Sequence, residues 1–489
     1  MQRPPIPTGT GVKALGAGVD RVPQSGTAIG QRGPARSGPI PARTTQSLTK
    51  APRGAIEPPF RRRPNTFRFK SRYISFRKVD VLKLLVVTNE SPVPAIHGGR
   101  VDQWTRFRLL RERGWQLMLV SWYPESSGRP AGADLSELNE VFDHIYFFPI
   151  GRTPRAMLER LIQLPIRSPH VATRILPASA HNAVISAARR FGPDAVLLDG
   201  LFGGETALRF SRSLGLPLLY RAHNIEFAYM RSQADIATKK ADWFAWRLAS
   251  LHLKSFETRI QKVSRLVLDI SYDDLEYWRS QGVSRSEWAP PLRILDPDRP
   301  TVEIPWPQRA FDIVFLGNLY TPNNVRAVSW FAERVLPILR QSHTAVKVRI
   351  AGSHPTEPVR RLIAANPEID FLENPPDAAA VWQDGRVLIN PIHAGGGINV
   401  KAVEMLFFNA HLVTTSIGLK GFPPNIHAQF HVADTPEAFA ASILKLIDVP
   451  YDLTASRQEA RRVFGSAGID RLIASISTAV NESNKSMTA

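Results

Sequence analysis

Twice along this chain, short apolar runs alternate with stretches of helical periodicity, and a proline-rich interval separates the two series. The first run, residues 81–87, is apolar at every position but Lys83. That pattern suits a strand buried on both faces, which a parallel sheet covered by helices provides. A loop with Pro92, Pro94, Gly98 and Gly99 follows, then a helical stretch holding Val101, Trp104, Phe107 and Leu110, then the run 117–120. This is a βαβ opening. Further strands fit 145–148, 195–198, 217–220 and 266–268. Residues 288–308 contain six prolines and no period, which marks a linker. The second series places strands at 313–316, 346–350, 369–372, 387–390 and 412–414, and helices at about 324–340, 356–365, 398–408 and 435–447. The expected fold class is α/β: two doubly wound, Rossmann-like domains at 80–290 and 310–480, joined by a linker at 291–309 and facing each other across a cleft. Ligands of such sheets sit beyond the carboxyl ends of the strands.

Charge separates a tail from this body. The net charge of +19 looks like a nucleic-acid signal until it is mapped. Residues 1–79 carry 12 Arg and 4 Lys against Asp20 and Glu57, so the tail holds fourteen of the excess charges and the body five. A segment so rich in Pro, Gly and Arg cannot bury enough apolar surface to offset its ordering entropy, so it reads as a disordered tail and nucleic acid is not an expected partner. Its end, 60–78, interleaves Arg61, Arg62, Arg63, Arg68 and Lys70 with Phe60, Phe67, Phe69 and Tyr73. It is either a solvated basic tail or an anchor on an anionic membrane. A second amphipathic stretch, 243–259, carries Trp243, Phe244 and Trp246 beside Arg247, Lys254 and Arg259; it either lies on a membrane or covers the sheet. No run reaches the roughly 20 apolar residues of a membrane span, and no apolar h-region opens the chain. A cytoplasmic protein, at most peripheral on the inner face of the cell membrane, is expected. With no cysteine, disulfides, thiolate nucleophiles and Cys-based zinc sites are excluded.

The chemistry concentrates at Asn390-Pro391-Ile392-His393-Ala394-Gly395-Gly396-Gly397-Ile398-Asn399-Val400-Lys401-Ala402-Val403-Glu404. A strand ends, three glycines follow, and a helix starts. Glycines admit a ligand close to the backbone, and unpaired N–H groups at a helix start attract an anion. Lys401 and Glu404, three apart, share a face; a cation for a diphosphate and a carboxylate for ribose hydroxyls would be coherent. A glycine-rich turn with a solvent ion pair fits equally well. In the first series, His223 follows a strand within Arg221-Ala222-His223-Asn224-Ile225-Glu226. Asp199 and Glu205 flank Gly203-Gly204 after another strand, where acids could bind acceptor hydroxyls or simply favour a helix start. Glu226 could bind acceptor, orient His223 or cap the next helix.

The glycine segment resembles a hallmark of glycosyltransferase family four, of GT-B fold, in the variant P-x-x-x-G-G-G-x-x-x-K-x-x-E. Residues Val413-Thr414-Thr415-Ser416-Ile417-Gly418-Leu419-Lys420-Gly421 resemble the family's V-x-T-x-x-G-x-x-G loop. Gly317-Asn318 and the residues around them resemble the opening of its donor domain, 221–226 its H-N-x-E element, and Pro94 through Gly98-Gly99 its first glycine loop. The resemblance spans roughly 81–480. It implies a retaining, hexosyltransferase-type enzyme that moves a sugar from a nucleotide diphosphate donor to a glycan or lipid-linked acceptor, in bacterial polysaccharide assembly. The donor would be a co-substrate, with no cofactor and no metal required. Carried over residue by residue, the resemblance makes His223 and Glu404 catalytic, Glu404 holding the ribose. Gly98, Gly99, Gly317, Asn318, Gly395, Gly396, Gly397, Lys401 and Glu404 become the donor site, and Asp199, Glu205 and Glu226 an acceptor site.

Departures from the family pattern are specific. The first Glu of its E-x7-E motif would fall at Gly396, and an Arg/Lys pair that grips diphosphate falls at Asn318 and Asn324. Lys401 and the glycine N–H groups must then do more of that work. These gaps leave room for a non-catalytic sugar-binding or scaffold protein of the same ancestry, and a GT-B sugar-nucleotide epimerase shares the architecture. A dinucleotide oxidoreductase is disfavoured because the loop after the first strand lacks G-x-G-x-x-G.

Overall fold

The computed structural model describes residues 81–488 except 96, 97, 152, 236, 238, 294–303 and 343–345. The basic segment 1–79, with the membrane candidate at 60–78, and most of the interval expected as linker lie outside the described residues. The first sheet has seven strands: β1 (Lys83–Thr88), β2 (Gln116–Pro124), β3 (His144–Ile150), β4 (Ala195–Asp199), β5 (Leu218–Ala222), β6 (Leu266–Asp269) and β7 (Ser286–Trp288). They lie in the order β3-β2-β1-β4-β5-β6-β7. The second has six: β8 (Phe311–Asn318), β9 (Val348–Ser353), β10 (Ile369–Glu373), β11 (Gly385–Asn390), β12 (His411–Thr414) and β13 (His431–Val432). Their order is β10-β9-β8-β11-β12-β13. Every pairing is parallel, as two doubly wound sheets require.

Central strands are buried from end to end: all five residues of β4 and of β5 are buried. Each large aliphatic side chain so enclosed contributes about 1.5–3 kcal/mol. In each sheet the strand order reverses direction once, between β1 and β4 and between β8 and β11. Crevices open at such switch points. Thr88, paired with Asp199, ends the first pair of strands; Asn318 and Asn390 end the second.

Several elements depart from the expected ones for physical reasons. The helix expected at 324–340 runs as Pro322–Trp330, widens to a five-residue π turn over Phe331–Val335, and resumes as Leu336–Ser342. Pro337 lacks the N–H that would return to Glu333, so the ladder must loosen there. The helix expected at 398–408 is only Val400–Met405. The last helix, Ser466–Thr488, comes from the segment grouped with the second domain, yet Ile469, Leu472, Ile473 and Ile476 pack into the core of the first sheet beside Leu84 and Leu117. The chain therefore crosses between the domains twice, and the crossings touch: the Arg293 N–H donates to the Phe464 carbonyl at 2.8 Å. Among the described residues no single helix is long and apolar enough to cross a membrane. The 243–259 stretch divides into two helices. Leu253–Val263 covers the sheet with Leu253 and Ile260 fully buried, whereas Lys240–Ala249 leaves Trp243 and Phe244 exposed.

Candidate functional site

In the second domain the site is built around β8 and β11. Lys401 projects from the helix after β11 back over β8, where its Nζ donates to Asn324 Oδ1 at 2.8 Å and sits 4.0 Å from the centre of the Phe315 ring. Asn324 in turn donates to the Asn318 carbonyl at 2.9 Å. A Cβ at Gly317 would lie 3.0 Å from both Lys401 Nζ and Asn324 Nδ2, so a side chain there would press on this pair. Burial pushes the Lys401 amine down to about 7, with Glu404 opposing the shift. Among the described residues no carboxylate comes within ion-pairing distance of Lys401. The lysine thus rests on a neutral amide and a ring face, an arrangement that an incoming anion would complete. The Asn318 backbone carbonyl thus orients the Asn324 amide, and the amide holds Lys401 in place.

Glu404 is partly buried, its side chain 27% exposed, and pairs with Arg293 at 3.5 Å. Arg293 leaves the first domain and lies over the Phe407 and Phe408 rings. The loop between β11 and the helix carries Gly395 and Gly396 exposed and Gly397 half-buried, with φ of 64° at Gly397. Asn399 caps the helix by accepting from the Ala402 N–H at 3.1 Å, and His393 packs its ring against Trp330.

In the first domain His223 follows β5, and its Nε2 hydrogen-bonds to Asp199 Oδ1 at the end of β4. A carboxylate can only accept, so Nε2 carries a proton and donates it to Asp199. Asp199 is fully buried. It also accepts from Gln103 Nε2 at 3.0 Å and faces Arg106 at 3.7 Å. Arg106 and Arg221 both reach Asp102, Arg221 at 2.9 Å. Burial alone would raise the Asp199 carboxyl, but His223, Arg221 and Arg106 together outweigh it and hold the group below the usual carboxylate range. Two buried carboxylates and two buried guanidinium groups balance one another beneath the imidazole.

The two halves meet at the glycines. A Cβ on Gly397 would lie 2.5 Å from Asn224 Oδ1 and 3.3 Å from the His223 carbonyl oxygen, and one on Gly396 would lie 3.6 Å from the Tyr229 ring. Gly98, at the start of helix Gly98–Glu112, faces Val400 in the same way at 3.4 Å. Beside them the Gly421 N–H donates to Asp273 Oδ2 at 2.9 Å, and the Tyr272 N–H donates to the Gly421 carbonyl at 2.9 Å. Gly98 and Gly99 are themselves exposed. The triple-glycine turn thus opens on the groove between the domains, against the H-N-x-E element. A Gly397→Ala variant would meet both the unfavourable φ and Asn224. We expect its melting temperature to fall by about 2–4 °C for each kcal/mol of that strain, measured by calorimetry.

Three residues of the expected acceptor site are placed otherwise. Asp199 is covered by His223 and cannot touch an acceptor; it positions the imidazole. Glu205 is occupied by Arg209 and Arg259, at 3.8 and 3.7 Å. Glu226 is 6% exposed, and burial raises its carboxyl to about 6 against the opposing pull of His223 and Asn224. Sequence reasoning missed Arg293, Asp273 and the Asp102–Gln103–Arg106–Arg221 network. Arg221 alone gave a signal, as a cation inside a buried strand. Among the described residues no three His, Asp or Glu side chains are placed to hold a metal ion.

Residues 310–449 match the family described as glycosyl transferases, group 1. Among solved structures, Anabaena HepE in complex with UDP-glucose is 13% identical and superposes with a TM-score of 0.51, covering 81% of this chain and 100% of its own. Sucrose-phosphate synthase from Thermosynechococcus elongatus is 12% identical with a TM-score of 0.52, covering 82% and 99%. The fold is GT-B. A protein from the cps region of Klebsiella pneumoniae, described as an uncharacterized 44.6 kDa protein, is 25% identical over 379 residues, 74% of this chain and 90% of that one. The family match is confined to the second domain, and the likeness to solved structures extends over both domains.

Proposed function

We propose that this GT-B protein transfers a hexosyl unit, with retention, from a nucleoside diphosphate sugar to a glycan or lipid-linked acceptor in polysaccharide assembly. The observation that carries the reading is the meeting of the triple-glycine turn with His223 and Asn224, beside a half-buried lysine that has no carboxylate partner among the described residues. Cleavage of the anomeric bond builds negative charge on the departing diphosphate. Backbone N–H groups of the turn and Lys401 would receive that charge in a preorganised, partly dry setting, where such donors act most strongly. The nucleotide would lie along Gly317 and Asn318, its ribose on Glu404, which Arg293 holds in place. The sugar would reach across to His223, with the groove by Gly98 and Gly99 closing over it and excluding water. UDP-glucose in the HepE complex makes uridine nucleotides the first to test. The cps-region relative supports polysaccharide assembly as the setting, on the cytoplasmic side of the membrane.

Titration calorimetry with UDP, GDP, ADP and their sugars tests the reading. One nucleotide is expected to bind, and to be preferred over its 2′-deoxyribose analogue by about tenfold, the worth of one charge-assisted hydrogen bond. Glu404→Ala should erase that preference. Absence of binding by every nucleotide, or a preference that survives in Glu404→Ala, would remove Glu404 from the ribose.

A further inference from the structure

Among the described residues thirteen large apolar side chains are exposed; six of them fall on two helices of the first domain and a seventh lies just beyond one of them. Met157, Leu158, Leu161 and Ile162 lie on helix Pro154–Gln163, at 57 to 69% exposure, and Ile166 continues the row. Their spacing puts the first four on one helical face. Trp243 and Phe244 lie on helix Lys240–Ala249. Both helices pack on the short helix Pro169–Ala172, and Ser168 Oγ donates to the Ala249 carbonyl at 2.9 Å, so the two apolar rows flank the same short helix. None of these seven side chains belongs to the cores of the first domain.

Two further observations say what covers the patch. Residues 157–167 and 239–254 hold six Lys or Arg against Glu159 and Asp242, and Lys239, Lys240, Arg247 and Lys254 are exposed around the apolar row. Arg247 also lies over the Trp243 ring. Apolar side chains ringed by cations, with a tryptophan at the boundary, match the layered chemistry of an anionic lipid surface. The patch also borders the cleft. Arg174, two residues beyond the short helix, donates Nε to the carbonyl of Asn89 at the carboxyl end of β1 at 2.8 Å. Asn89 in turn holds the Phe202 N–H of the loop that follows β4.

We infer that this two-helix face docks the protein on an anionic lipid surface, which brings the open edge of the first sheet to the plane where a lipid-linked acceptor lies. The delivery of an acceptor rests on the transferase reading; the docking does not. Sedimentation of the full chain with phosphatidylglycerol–phosphatidylcholine vesicles tests it, the basic residues 1–79 being present in every sample. The wild type should bind anionic vesicles and bind phosphatidylcholine alone at least tenfold more weakly. Leu161→Glu/Phe244→Glu should lose at least tenfold in partition. Lys239→Glu/Lys240→Glu should lose at least threefold. All four positions are exposed, so melting temperatures should stay within a few degrees of wild type. If vesicle binding holds while every nucleotide fails to bind, the docking stands and the transferase reading falls. Equal sedimentation of wild type and both variants would overturn the docking. So would a wild-type dimer in light scattering that Phe244→Glu dissolves, because a second copy would then cover the patch.

Discussion

Replacing His223 with Ala is expected to lower the rate of sugar transfer by about 10²–10⁴-fold, the usual contribution of a positioned proton-transfer or polarising group, and to leave donor affinity within about threefold. The separation follows from the geometry. His223 stands on the first domain, while Lys401, Glu404 and the glycine turn stand on the second, so a loss confined to kcat marks a group that acts after the donor is seated. His223→Ala also leaves Asp199 with Gln103 and Arg106 as partners, so the fold should survive. Asp199→Asn is the companion variant. It replaces the charged acceptor of the ring N–H with a neutral amide and leaves two buried arginines sharing one carboxylate. It should lower both kcat and stability, the second by up to about 3–5 kcal/mol, as when one partner of a buried pair is deleted. A purely structural role for the pair would lower the melting temperature of Asp199→Asn and leave the kcat of His223→Ala untouched.

The second large effect concerns Lys401. Removing its charge as Lys401→Met preserves the contact with Phe315 and deletes the cation expected to meet the diphosphate. The cost should be about 2–3 kcal/mol, or roughly 30- to 150-fold in donor dissociation constant. The same residue predicts a pH dependence with a definite sign. In the free protein the amine is held down to about 7 by burial. A bound diphosphate favours the ammonium form and raises that value, so binding takes up a proton wherever the free lysine is neutral. Below pH 7 the lysine is already charged and affinity is flat. Above it affinity falls, by up to about tenfold per pH unit, until the raised value in the complex is reached. A nucleotide sugar is the proper ligand, since its diphosphate diester does not itself titrate in this range. Calorimetry in buffers of different ionisation heat should show proton uptake at pH 8 by wild type and none by Lys401→Met.

The fold was legible where burial is symmetric. Strands β1, β4, β5, β8 and β11 lie inside parallel sheets, covered on both faces, and such strands must be written as apolar runs. The edge strands β7 and β13 are three and two residues long, too short to form a run. The crossing of the last helix was hidden for another reason. Ile469, Leu472, Ile473 and Ile476 show helical spacing, but spacing fixes only that a face is buried, not which sheet buries it.

The site divides the same way. The glycine turn, Lys401 and His223 are local signals, a strand end followed by residues that bind anions or move protons. The support beneath them is non-local. Asp199 meets His223 because β4 lies beside β5. Arg106 meets Asp199 because helix Gly98–Glu112 packs over the first switch point, and Arg293 meets Glu404 because the interdomain crossing passes the helix after β11. Asp199 read as an acceptor ligand on position alone, since a carboxylate at a strand end looks the same whether open or covered. Only the neighbouring strand decides.

Crystals grown with the nucleoside diphosphate that binds test the central claim most directly. Density for the two phosphates should lie against the N–H groups of Gly395 to Gly397, with Lys401 Nζ turned from Asn324 to a phosphate oxygen. A nucleotide found elsewhere, with Lys401 still on Asn324 and the glycine turn empty, would contradict it.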